Sequence, residues 1–169
     1  QTTPNDPNFL YQWQYVNDGN SGGVADADID ADQVWDITTG GFTPLNDEIV
    51  VAILDDGVDD THPDITPNLW VNLNETANNS IDDDGNGYID DVRGWYNAKN
   101  NDQIDGGFFG GSHGTPVCGI VGAKGNNGSL MAGVNWNCRI IPVKILDANN
   151  SGFYSWFVSG ITYAVDNGA

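Results

Sequence analysis

The chain has 169 residues, enough for one domain with a real core and too few for two ordinary ones. Five basic residues stand against 24 acidic ones, a formal charge of −19, which argues against nucleic acid or an anionic membrane surface as partner. No apolar run approaches the ~20 residues that cross a bilayer, and the polar opening at Gln1 has no signal-like character and reads as a mature or trimmed start. Only Glu48 and Glu75 are glutamates, so nearly all the charge is Asp, a residue of turns, caps and oxygen-ligand metal loops. Long ordered loops held by calcium fit this composition. So does the acidic solvation of a secreted or salt-adapted surface.

Residues 1–30 are polar with rings at Phe9, Tyr11, Trp13 and Tyr15, and read as an arm wrapped over the domain surface. Ala31 to Ile37 suits a short helix closed by Thr39-Gly40-Gly41. Ile49 to Gly57 (IVVAILDDG) is the stretch of a strand buried on both faces, as in a parallel sheet under helices. Chemistry in such sheets collects outside the carboxyl ends of the strands, where Asp55 is placed. Residues 65–111 form a long excursion of little periodicity, a length that is usually functional or held by something other than a core.

Gly114 to Ala123 is small and apolar, a helix for tight packing with Pro116 in its first turn. Arg139 to Leu146 (RIIPVKIL) is a second buried strand, in which Pro142 hints at an edge or a bulge. Phe153 to Val165 carries Phe153, Trp156, Phe157, Ile161, Ala164 and Val165 at helical spacing, with Asn167-Gly168 as a stop. Strand, helix, strand, helix predicts an α/β fold, a parallel sheet flanked by helices within one domain over residues 1–169. Cys118 and Cys138 permit one disulfide or two buried thiols.

His113 follows glycines and opens the small-residue helix, a place that suits a neutral general base if a carboxylate holds its other nitrogen. Asp55 is the candidate. One Asp and one His alone carry little, and a structural histidine is the plainer reading. Their surroundings carry more. VAILDDGVDDTHPDI and GSHGTPVCGIVGA resemble the Asp and His signatures of the subtilisin-like serine peptidases, the subtilases. PNDPNFLYQWQYVNDG, ADIDADQVWDITTG and GVNWNCRIIPVKILDANNSGFYSW are similar to the family's mature start and to its strand and substrate-edge loop.

The resemblance implies a subtilisin-like fold, incomplete in this chain, in which Asp55 orients His113 and His113 is general base and acid. It implies that Leu146, Asn150, Ser151 and Gly152 pair with an extended peptide or protein substrate, with Tyr154 walling an outer subsite. A simple strand-to-helix turn is the alternative there. Asp56 stands where the kexin/furin branch has an acid that favours basic residues near the cleavage site; it equally suits a turn cap. The family's serine motif and oxyanion-hole asparagine are absent: Ser112, Ser129, Ser151, Ser155 and Ser159 match other family positions. The chain alone is therefore expected to be inactive, with the serine supplied by a C-terminal remainder of the catalytic domain or by a second chain. An inert calcium-binding fragment, a pseudopeptidase and a Cys118 thiol hydrolase are the rival readings.

Asp82 to Asp90 (DDDGNGYID) fits the EF-hand pattern, with Asp82, Asp84, Asn86, the Tyr88 carbonyl and Asp90 as calcium ligands and Gly87 at the sharp turn. Its final glutamate position is Arg93, and Asp91 or a distant carboxylate would substitute. A solvated acidic turn is the alternative. A second calcium site is implied by the resemblance alone: side chains of Asp6, Asp64 and Asn127, and carbonyls of Lys124, Ser129 and Met131. Ordinary Asn-Gly turns would explain those residues otherwise.

Overall fold

A computed structural model describes residues 1–20, 22–105 and 113–169; Gly110, Gly111 and Ser112 lie outside them. The apolar stretch Val50–Asp55 forms β1 and Arg139–Lys144 forms a parallel partner, β3, with Val50 opposite Arg139 and Asp55 opposite Lys144. Between them in sequence, Trp95–Tyr96 forms β2 and pairs in parallel with the other side of β3, for the order β1-β3-β2. The centre of the sheet is thus β3, whose Ile140, Ile141 and Val143 are fully buried.

Two strand expectations change. The run in β1 reads as buried on both faces, yet only Ile53 is buried and the rest is half-buried. The reason is position: among the described residues β1 has a strand on one side only. Pro142 marks neither an edge nor a bulge, since it pairs opposite Ile53 in the central strand. Its neighbours on the other side are broken in two. Trp70 donates its N–H to the Ile140 carbonyl (2.8 Å), Asn97 donates to the Lys144 carbonyl (2.9 Å), and the excursion leaves and returns between them. An imino acid costs little opposite such a gap.

Helix α1 is Ala31–Trp35, α2 is Gly114–Gly122 and α3 is Tyr154–Asp166. On one face of the sheet, Cys118 of α2 packs with Ile53, Cys138 and Ile140. On the other, Tyr163 and Ala164 of α3 pack with Trp95, Ile141 and Val143. The two strand periodicities explain this, because Ile140 and Ile141 point to opposite faces. Small residues let α2 lie close: a Cβ on Gly122 would sit 2.5 Å from Cys138 Sγ.

The burial of α3 differs from the apolar spacing. Gly160, Tyr163 and Ala164 face the sheet, whereas Phe153, Ile161 and Val165 are exposed. This helix is apolar on two sides, and spacing alone cannot say which side meets the sheet. Tyr154, Val158, Ile161 and Val165 form an outward apolar stripe.

In the arm, Tyr15 is buried against Trp35 (5.5 Å between ring centroids) and Phe9 also meets Trp35, while Tyr11 and Trp13 are exposed. Gln12 completes the attachment, donating to the Ala132 carbonyl (2.7 Å) and accepting from the Ala132 N–H (3.0 Å). Asn68 ties the start of the excursion down in the same way, donating to the Gly122 and Trp136 carbonyls at 2.9 and 2.8 Å. The excursion is therefore stitched into the fold by buried amides and by β2, neither of which periodicity reveals.

Candidate active site

Asp55 closes β1 and His113 stands immediately before the first residue of α2. The parallel sheet and the helix that follows it bring these two together across 58 positions. His113 Nδ1 lies 2.8 Å from Asp55 Oδ2 and 3.0 Å from Oδ1. Asp55 Oδ1 also accepts the Asp56 N–H at 2.7 Å, which fixes the carboxylate. The Asp55 side chain is 12% exposed and that of His113 is 74% exposed, so the ring is held on its Nδ1 side and open to solvent on its outer face. A neutral imidazole so held donates from Nδ1 and leaves Nε2 free to take a proton.

Asp56 is only 2% exposed. Its Oδ1 accepts the Gly114 N–H at 2.8 Å and its Oδ2 the His113 N–H at 3.3 Å. These are first-turn donors that α2 cannot satisfy itself. The carboxylate thus caps the first turn of α2. Asp59 N–H donates to Thr115 Oγ1 at 2.9 Å, a second tie between the strand turn and the helix.

Leu146 follows β3, and Asn150, Ser151 and Gly152 form the turn before α3. Sequence reasoning passed over Asp147, which organises that turn. Its Oδ1 accepts the N–H groups of Asn149 (2.8 Å) and Ser151 (3.0 Å), and those backbone bonds, that to Ser151 first, hold its carboxyl below the usual range. An Asp two residues before Asn is an Asx-turn signal that could have found it. Asn150 takes a positive φ of 55°, and a Cβ on Gly152 would sit 2.7 Å from the Ile145 carbonyl oxygen. Tyr154, at the first turn of α3, is 92% exposed.

Of the EF-hand-like ligands, the structure gathers Asp82 and Asp84 and adds Glu75: oxygens of these three carboxylates lie within 4.8 Å of one another. Glu75 precedes the motif and was missed because the pattern places its last acid downstream. Asp90, an expected ligand, accepts the N–H groups of Asn79 (3.0 Å) and Ser80 (3.1 Å). Asn86 donates to Asp84 and Asp91 at 3.3 and 3.2 Å. The Tyr88 ring packs on Trp95 and Tyr163 at 4.9 and 4.7 Å, anchoring the loop to β2 and α3. Three converging carboxylates fit a hard cation with oxygen ligands.

At the second site, Asp6 and Asp64 are both buried. Asp6 Oδ2 accepts the Asn126 N–H at 2.6 Å, while its Oδ1 is buried with no hydrogen-bond partner among the described residues. Asp64 accepts from Asn127 Nδ2 (3.3 Å) and Met131 N–H (2.9 Å), and its carbonyl accepts the Lys124 N–H (2.7 Å). Ser129 N–H donates to Asn127 Oδ1 at 2.7 Å, in the same turn. Two buried carboxylates bonded to the same 126–131 loop, one with an oxygen left over, fit a cation there.

Cys118 and Cys138 are free thiols, both fully buried. Burial, with Asp55 and Cys138 nearby, pushes the Cys118 thiol up to about 12. Such a thiol is inert as a nucleophile at neutral pH. Iodoacetamide at pH 8 is expected to leave both cysteines unlabelled in the native protein and to label both in urea; rapid labelling of Cys118 in the native state would contradict this.

Among the described residues no helix is long and apolar enough to cross a membrane. Residues 46–169 match the Subtilase family, peptidase S8. The cell wall-associated protease of Bacillus subtilis is 33% identical over 169 residues, covering 98% of this chain and 16% of that protein. Thermitase of Thermoactinomyces vulgaris is 31% identical over 167 residues, covering 99% of this chain and 45% of that protein. Among solved structures, a protease of Pseudoalteromonas arctica superposes with a TM-score of 0.61 at 31% identity, over 95% of this chain and 43% of that one. The Aeromonas sobria serine protease, solved in complex with a chaperone, superposes at 0.71 over 95% of this chain and 23% of that one; at 20% identity it speaks to the fold alone. The chain therefore spans less than half the length of each of these relatives. With its parallel sheet, flanking helices and this match over most of its length, the chain belongs to the subtilase family.

Proposed function

We propose that this chain is the Asp- and His-bearing part of a serine endopeptidase that hydrolyses peptide bonds in peptide or protein substrates. The observation that carries the reading is the 2.8 Å contact of His113 Nδ1 with Asp55 Oδ2 on a ring whose outer face is open. His113 Nε2 takes the proton from a serine hydroxyl as its oxygen attacks the scissile carbonyl, then gives it to the leaving amine. Asp55 holds the tautomer and stabilises the imidazolium. The serine and an oxyanion-hole donor come from outside these 169 residues. Two open surfaces support that arrangement: the edge of β1 that no strand pairs among the described residues, and the apolar outer stripe of α3, both of which cost free energy in water. Leu146, Asn150, Ser151, Gly152 and Tyr154 would carry the substrate backbone.

The test compares the natural full-length protein with the isolated 169-residue chain on an unstructured peptide library. Hydrolysis by the former and none by the latter is expected. Equal hydrolysis by the isolated chain would refute the division of the triad, and an inert full-length protein would make it a pseudopeptidase.

Calcium is the proposed ion at both acidic sites, where it would offset like-charge repulsion and order the excursion and the arm. Millimolar calcium outside cells and the acid-rich surface support a secreted protein. Chelation with EGTA is expected to lower Tm, by an amount worth about 4 kcal/mol if calcium is held at ~1,000 times its Kd. Glu75→Gln should remove part of that calcium-dependent rise, whereas a Tm that ignores both changes would exclude a structural ion.

A further inference from the structure

Cations are scarce in this chain, and two of them share a cavity. Of five basic residues against 24 acidic ones, Lys124 and Arg139 line a space of about 480 Å³, with Glu48 its one acid among the described residues. Arg139 opens β3 opposite Val50, the first residue of β1, so the cavity lies at the amino edge of the sheet. Asp55 ends β1 at the opposite edge, roughly 17 Å along the strand.

Both cations are held in place. Lys124 Nζ donates to Asn137 Oδ1 at 2.6 Å, and Asn137 Nδ2 donates to the Thr39 hydroxyl at 2.9 Å and carbonyl at 3.3 Å. Among the described residues no carboxylate pairs with that ammonium. Arg139 donates from Nε to Glu48 at 2.7 Å and from Nη1 to the Pro67 carbonyl at 3.2 Å. An ammonium has three N–H donors and a guanidinium five, so both keep donors to spare. The Arg139–Glu48 pair is more than a third exposed on both sides, and an ion pair so placed adds little to stability. Phe42, an exposed ring, and Pro67 wall the cavity beside the charges.

We propose that this cavity binds an oxyanion between Lys124 and Arg139, the carboxylate of an acidic side chain in a peptide segment. A carboxylate matches the flat guanidinium fork. Phe42 and Pro67 give the residues flanking that acid an apolar seat, which inorganic phosphate would leave empty. The chain's net charge of −19 repels anions in general, so binding depends on these two groups. It rests on this geometry and stands apart from the peptidase reading.

The test uses the full-length protein carrying His113→Ala, so that no peptide is cut. The capped peptide acetyl-Gly-Phe-Glu-Phe-Gly-amide, its Gln counterpart and inorganic phosphate are each titrated calorimetrically. The Glu peptide is expected to bind at least ~10-fold more tightly than the other two, the worth of a charge-assisted bond. Arg139→Gln and Lys124→Met should each weaken it by ~10-fold to 100-fold. Glu48→Gln removes the competing carboxylate and should tighten it by ~2-fold to 5-fold. Lys99→Met, at an exposed cation over Tyr96 (5.6 Å), should change nothing.

No binding, equal binding of the Glu and Gln peptides, or an equal loss in K99M would overturn the proposal. Tighter binding of phosphate than of the Glu peptide would overturn the carboxylate assignment. Should R139Q not fold, E48Q decides: tightened binding supports the site, and unchanged binding contradicts it.

Discussion

In the full-length protein, His113→Ala is expected to lower kcat by about 10^6 and Asp55→Asn by about 10^4, with KM little changed. These magnitudes are those of the corresponding groups in subtilisin and other triad peptidases. The asymmetry has a physical source here. Removing His113 removes the proton acceptor itself, so the serine must attack as a neutral hydroxyl. Replacing Asp55 leaves the imidazole in place but withdraws the carboxylate that accepts from Nδ1 at 2.8 Å and 3.0 Å. An amide there can donate to Nδ1 and hold the ring in the wrong tautomer. The double variant should be no slower than H113A, since the two act as one unit. Steady-state kinetics on a fluorogenic peptide checks this; a loss below 100-fold in H113A would remove the residue from its role.

The second large effect is expected at Gly114. A Cβ there would lie 2.2 Å from the Gly57 carbonyl oxygen, 3.1 Å from Asp55 Cβ and 3.2 Å from Asp56 Oδ1. The first of these is backbone and cannot swing aside. Gly114→Ala must therefore push α2 away from the end of β1, the joint that holds the pair. Overpacking of this kind costs about 3 kcal/mol in stability. Because the displaced element carries His113, kcat should fall by ~100-fold as well. Gly119→Ala is the control, for a Cβ there meets nothing within 4 Å. Urea unfolding and peptide hydrolysis of the two variants separate the outcomes, and an unaffected G114A would show that the joint is looser than the packing implies.

What could be read in the sequence follows from how local each signal is. The strands at 50–55 and 139–144 and the small-residue helix announce themselves by composition within a few residues, so the α/β character and the placing of Asp55 and His113 at strand and helix ends were legible. Strand β2 was not, because two residues give no period. Pro142 misled for a related reason: its cost depends on where the neighbouring chain breaks, which is a fact about residues 70–95. The half-burial of β1 and the outward stripe of α3 depend on what lies beside them rather than on their own residues. Glu75 lies outside the motif, upstream of where the pattern puts its last acid, and Asp147 is a lone acid whose partners are backbone N–H groups; Glu75 also accepts from Asp83 at 2.8 Å and Asp90 at 3.1 Å. Asp56 shows the reverse case. Its two readings are both open in sequence, and the capping bonds to His113 and Gly114 are visible only in the fold.

Asp55 and His113 are proposed to activate a serine that lies outside these 169 residues. A fluorophosphonate probe on the full-length protein, followed by peptide mapping of the labelled site, tests it most directly. One labelled serine outside residues 1–169, on the remainder of the catalytic domain or on a second chain, and loss of labelling in H113A are expected. A label on a serine within residues 1–169, or labelling of H113A at the full rate, would contradict it.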